Sequence, residues 1–131
     1  MSLKSKGSNA ERALVKMFWG SGWAAMRAAG SGSTHFPSPD VLAANKIRRI
    51  AIESKATKDT RKYFPDEEIK QLRDFADYFG AEPWLAIKFD GIAWVFVNPE
   101  DLKKTKEANV FSVDDIPLRG LSFEELIQTT S

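Results

Sequence analysis

Two carboxylates and a lysine carry the chemistry that this chain offers. Asp40 follows Pro39, and thirteen residues later Glu53-Ser54-Lys55 closes a β-like run. Brought together, these side chains could hold a divalent cation and a water beside a phosphodiester, which is the chemistry of a metal-dependent nuclease. Hard oxygen ligands that leave several positions to water suit Mg²⁺. Taken alone, the same residues also read as a loop aspartate and a surface Glu–Lys ion pair, worth only ~0–1 kcal/mol.

Positioning them falls to segment 47–55, rich in β-branched residues and too short for a typical helix. Side chains two apart on a strand share a face, so Glu53 and Lys55 project together while Ser54 points away. If Val41-Leu42-Ala43-Ala44 pairs with this strand around a turn at Asn45-Lys46, Asp40 arrives beside Glu53. The preceding proline favours an extended start for that arm over a helix. The loop before it, residues 30–38, is rich in Gly, Ser and Pro, and its hydroxyls and backbone amides could close over a phosphate backbone or merely connect. His35 lies in this loop, where it could touch nucleic acid or simply be solvated.

Around this centre the chain alternates helical and extended patterns. Residues 1–7 read as a flexible polar lead. Ser8 then reads as an N-cap with Glu11 at N3, opening a helix whose stripe is Ala10, Leu14, Met17 and Phe18. That capping role competes with a metal role for Glu11. Gly20 and Gly22 stop the helix, and residues 23–27 form the first strand. After the Glu-x-Lys strand, residues 56–64 read as a basic and aromatic loop suited to phosphate through Lys58, Arg61 and Lys62. Pro65 opens a helix with the stripe Ile69, Leu72, Phe75, Ala76 and Phe79, ending at Gly80. By pattern alone, Phe75 and Phe79 are core or, if exposed, a self-association surface. Residues 83–89 and 92–97 flank Asp90-Gly91 as the clearest hairpin. A helical turn carrying Lys103, Lys104 and Lys106, a strand over 109–113 and a short helix capped by Ser122 and Glu125 complete the chain.

Composition narrows the class. At 131 residues, 43% apolar and 28% charged, the chain suits one soluble α/β domain with one core. No apolar run could span a bilayer and the first residues lack a signal-peptide pattern, so the expected place of action is the cytoplasm. Absence of cysteine excludes disulfides and thiolate metal sites, and the single histidine argues against relayed serine–histidine catalysis. Net charge is only +1, but residues 1–62 hold twelve Lys and Arg against four acids, while the remaining residues are acidic. Three of those four acids are the candidate ligands, so a bound cation would leave this half more positive still. Such a half suits a polyanion such as DNA, or a solvated surface balanced by the acidic part.

The order helix, three strands, helix, two strands, with carboxylates on the early strands, resembles the PD-(D/E)XK nuclease superfamily. Within it, the chain resembles the archaeal Holliday junction resolvases over nearly its whole length. The resemblance rests on residues 6–12 at the first helix, Arg27 to Ser31 after the first strand, Pro39-Asp40, Glu53-Ser54-Lys55, and Phe75 through Gly80 before Ala86-Ile87-Lys88-Phe89. It implies a restriction-endonuclease-like fold, with a central mixed five-stranded sheet flanked by helices. It implies that Asp40 and Glu53 bind Mg²⁺ or Mn²⁺, with Glu11 completing the acidic cluster directly or through water, and that Lys55 orients or activates the attacking water. It further implies DNA contacts from Arg12, Arg27 and Ser31 or Ser33, a homodimer joined through Phe75 and Phe79, and four-way junction DNA as substrate. It also implies a role in recombination and repair, with replication or recombination proteins as candidate further partners. Competing readings are another nuclease of this fold acting on flaps, ends or duplex, a non-catalytic branched-DNA-binding module, and an ordinary scaffold with surface ion pairs.

Overall fold

Both faces of the central sheet are covered, which explains why its middle strands read as nearly unbroken apolar runs. The computed structural model describes residues 3–28 and 36–128, the first four by backbone only. Helix α1 (Leu3–Gly20) leads into strand β1 (Ala24–Arg27), followed by β2 (Val41–Ala44) and β3 (Arg49–Thr57). After β4 (Arg61–Phe64) and α2 (Asp66–Phe79) come β5 (Glu82–Phe89) and β6 (Val95–Val97). Strands β7 (Lys103–Lys104) and β8 (Asn109–Ser112) and helices α3 (Ile116–Arg119) and α4 (Phe123–Gln128) follow. The large sheet has the order β1-β2-β3-β5-β6, with β3 and β5 parallel and the other pairs antiparallel. The expected mixed five-stranded sheet is therefore present.

Alternation along the strands assigns each residue to one of two cores. Ile50, Ile52, Trp84 and Ala86 face α1 and α4, packing with Leu14, Phe18 and Phe123. Their neighbours Ala51, Leu85, Ile87 and Phe89 face the other way, against Ile69, Leu72 and Ala76 of α2 and the aromatics Phe64 and Phe111. Register is fixed by this burial, because a slip of one residue would exchange the two faces. Among the described residues no helix is long and apolar enough to cross a membrane.

Three local expectations are corrected. Helix α1 starts at Leu3 rather than Ser8, so residues 3–7 are helical and Ser8 is not its cap. Residues 61–64 are not a loop but strand β4, which pairs with β8 in a second sheet ordered β4-β8-β7. Phe64 is fully buried there, and the Asn109 amide donates to Phe64 O at 3.2 Å and Asp66 Oδ1 at 2.8 Å, tying that sheet to the start of α2. The lysine-bearing segment is not a helical turn: a single 3-10 turn covers Pro99–Asp101, and Lys103 and Lys104 are extended. At Asp90-Gly91 the turn forms, with Gly91 at φ 74° and Ile92 N donating to Phe89 O, but β6 starts only at Val95.

One polar pair anchors the sheet's lower end. Arg48, only 5% exposed, makes two 2.8 Å bonds to Glu82 and one of 2.7 Å to Leu126 O, while lying over the Trp23 ring. Glu82→Gln is expected to cost about 2 kcal/mol at pH 7, because it leaves a buried guanidinium poorly paired. The Arg48 bond, outweighing burial, holds the Glu82 carboxyl below its ordinary value. The pair's contribution is thus full above the ordinary carboxylate range and is lost as pH falls through the lower folded value. Denaturant unfolding at pH 7 and about pH 3 should show the gap between wild type and variant narrowing on acidification. A gap that does not change with pH would remove the ionised pair as its cause.

Candidate functional site

The β2–β3 hairpin brings Asp40 and Glu53 together as its short turn requires. Asn45 organises that turn: its backbone N–H donates to Arg48 O, and its side-chain oxygen accepts from the amides of Ile47 and Arg48. The register Val41↔Ile52 then places Asp40, one residue before β2, next to Glu53 on β3. Asp40 is fixed from both sides of the sheet. Its N–H donates to Ile52 O at 2.9 Å, its carbonyl accepts from Ala28 N at 3.0 Å, and its Oδ2 accepts from Ser54 N at 2.8 Å. A pocket of ≈ 610 Å³ opens above them, lined by Gly7, Glu11, Asp40, Glu53, Lys55 and Lys58 among others.

Electrostatics within this cleft are strong. Burial, reinforced by the hydrogen bond and negative charge of Asp40, pushes the Glu53 carboxyl far above the ordinary carboxylate range. Two adjacent carboxylates in a part-buried cleft disfavour a second negative charge on Glu53 unless a positive charge offsets it. Burial would depress the Lys55 ammonium, but the hydrogen bond and charge of Glu68, with smaller contributions from Glu53 and Asp40, outweigh it and raise its pKa. Lys55 Nζ lies 2.8 Å from Glu68 Oε1. The carboxylate that holds this ammonium is thus on α2.

The other expected residues divide. Glu11 reaches the cleft wall, but its carboxylate accepts from Arg27 Nε at 3.0 Å, while Arg27 Nη2 donates to Ser8 Oγ at 3.1 Å. Glu11 therefore does not cap its helix, and in this structure its carboxylate is engaged by Arg27 at the cleft. Among the described residues no three Asp, Glu or His side chains gather closely enough to hold an ion between them. Arg12 and Arg61 are exposed, Lys58 stands exposed on the cleft rim, and Lys62 is half-buried on β4. Ser31, Ser33 and His35 lie outside the described residues. Phe75 is half-buried and Phe79 is 51% exposed, with their rings stacked 5.2 Å apart. Sequence reasoning missed Glu68. That stretch reads only as the opening of a helix after Pro65, and no short spacing links Glu68 to Lys55.

Comparison with known proteins gives one answer. The family model described as archaeal Holliday junction resolvase (Hjc) matches residues 2–131. The crossover junction endodeoxyribonuclease Hjc of Archaeoglobus fulgidus is 40% identical over 126 residues, covering 95% of this chain and 90% of its own. The protein of the same name from Methanocaldococcus jannaschii is 34% identical over 122 residues, covering 93% and 86%. A solved structure of Archaeoglobus fulgidus Hjc, described as a Holliday junction resolvase, superposes with a TM-score of 0.85 at 37% identity, covering 91% of this chain and 98% of that one.

Proposed function

Because the chain belongs to the archaeal Holliday junction resolvase family, we propose that it is an endonuclease that resolves four-way DNA junctions by paired, symmetric nicks in homologous recombination and repair. The observation that carries this reading is the pairing of Asp40 with Glu53, beside Lys55, at the floor of an open cleft.

The donor set fits a hard divalent ion, because two adjacent carboxylates line the same open cleft and their oxygens are the donors such an ion prefers. Asp40 and Glu53 would hold Mg²⁺ or Mn²⁺, leaving further positions to water. Such an ion supplies Lewis acidity that activates water and offsets charge growing on the phosphoryl oxygens. Lys55 adds a fixed positive charge at the cleft wall, where a phosphate would lie. Glu11 contributes through water from the opposite wall while it holds Arg27. Exposed Arg12, Lys58 and Arg61 bear on the phosphate backbone around the cleft, which positions a junction by shape without reading its bases.

The proposed assembly is a homodimer. A four-way junction has two-fold symmetry, and an isologous dimer with one site per subunit supplies two matched nicks. Exposed Phe79 borders an apolar groove of ≈ 390 Å³ that also includes Trp19, Met26 and Leu42, which supports contact between subunits at this face.

The deciding experiment follows a labelled immobile four-way junction with Mg²⁺ and with EDTA, beside linear duplex of the same sequence. Paired symmetric nicks in the junction alone, lost in EDTA, are expected. Metal-dependent cutting of both substrates would instead indicate a less selective nuclease, and tight binding without cutting would indicate a non-catalytic module.

A further inference from the structure

We propose that Glu68 is a positioning residue of this site: its carboxylate holds the Lys55 ammonium on the α2 side of the cleft and keeps it off Asp40 and Glu53. The inference rests on the nuclease reading above and concerns how the same site is kept ready.

Lys55 has competing partners. Its ammonium attracts Glu53 and Asp40 in the same cleft, and both carboxylates are needed as oxygen donors. A lysine head on a four-carbon stem is mobile, so nothing in its own geometry prevents it from collapsing onto those two and neutralising them. Glu68 supplies the alternative. The 2.8 Å contact joins the first turn of α2 to β3, and both side chains are about two-thirds buried, at 31% and 30% exposure. The exposed pair Lys70–Asp74 lies one turn apart within α2 and has no such position over the cleft. Glu68 itself lies in the first turn of a 14-residue helix, so its backbone is held by α2. Lys55 is thereby left facing the cleft with its charge intact, while the paired acids stay open to a cation.

Glu68→Gln, Lys55→Met and the double variant test this, through junction cleavage at saturating enzyme, junction affinity in EDTA, melting temperature, and Mn²⁺ binding followed without DNA by electron paramagnetic resonance. Glu68→Gln is expected to cut ~10- to 100-fold more slowly, as partners of site residues commonly do, with junction affinity and melting temperature held. Mn²⁺ binding should weaken in Glu68→Gln but not when Glu68→Gln is added to Lys55→Met, where no ammonium remains to collapse. Glu68→Asp, which keeps the charge on a shorter arm, should recover part of the cleavage rate. Loss of the glutamate's charge acting directly on the cation would weaken binding equally in both backgrounds and would overturn the proposal. So would Glu68→Gln cutting at the wild-type rate. A wild-type protein that leaves the junction uncut would overturn the nuclease reading itself, whereas the other two results would leave that reading standing.

Discussion

Asp40→Asn is expected to lower junction cleavage on the order of 10³-fold or more, as loss of a principal charge-stabilising group does, while leaving junction binding intact or stronger. The substitution is nearly isosteric. An asparagine oxygen can still accept the Ser54 N–H at the place where Oδ2 now does, and the backbone bonds of residue 40 to Ile52 and Ala28 are untouched. What disappears is the charge, and a neutral amide is a much poorer ligand for a hard cation. Removing one of two adjacent carboxylates also reduces repulsion of the incoming phosphates, which is why binding holds or tightens. Glu53→Gln should behave in the same way, because the two groups act as one unit. Single-turnover cleavage with Mg²⁺ and gel-shift affinity in EDTA provide the test. Near-normal turnover in either variant would exclude that residue from the metal site.

What the sequence makes legible here is local, and what it hides is contact between distant segments. The pairing of Asp40 with Glu53 is readable because a short turn and two-residue alternation leave one sensible register, and burial on both faces locks it. Helix α2 is equally plain, since Pro65 precedes its first residue and Gly80, at φ 78°, ends it. Strand β4 escapes notice because Arg61 and Lys62 make it look like a solvated loop. Its partner β8 lies more than forty residues away, and Phe64 is buried in a core built with α2 and the central sheet. Glu11 misleads for a related reason: the spacing of Ser8 and Glu11 satisfies a capping pattern, but the helix extends past it and both side chains turn to Arg27. The Lys55–Glu68 pair joins a strand to a helix across a crossover, and no periodicity reports such a contact.

Phe79→Glu is expected to dissociate the proposed dimer into folded monomers that no longer make coupled nicks. In α2 the stripe that meets the sheet is Ile69, Leu72 and Ala76, each less than a tenth exposed. Phe75 and Phe79, one turn apart, lie beside that stripe and stack on each other, while Tyr78 is 95% exposed. Half of Phe79 is already in water in the single chain, so a charge there threatens the fold far less than one at Leu72 would. In a two-fold interface the same substitution occurs on both sides. If each buried aromatic contributes about 2 kcal/mol, the dimer weakens by about 4 kcal/mol, or on the order of 10³ in its dissociation constant. Analytical ultracentrifugation across a concentration series reads this shift, and thermal melting verifies that the monomer remains folded. Cleavage adds a second reading, because Asp40, Glu53 and Lys55 are not among the residues that line this groove and are left unchanged. Nicks should then appear singly and independently on the two strands, since pairing follows from two sites held by one axis. A variant that stays dimeric and keeps its nicks paired would place the subunit interface on another face of the molecule.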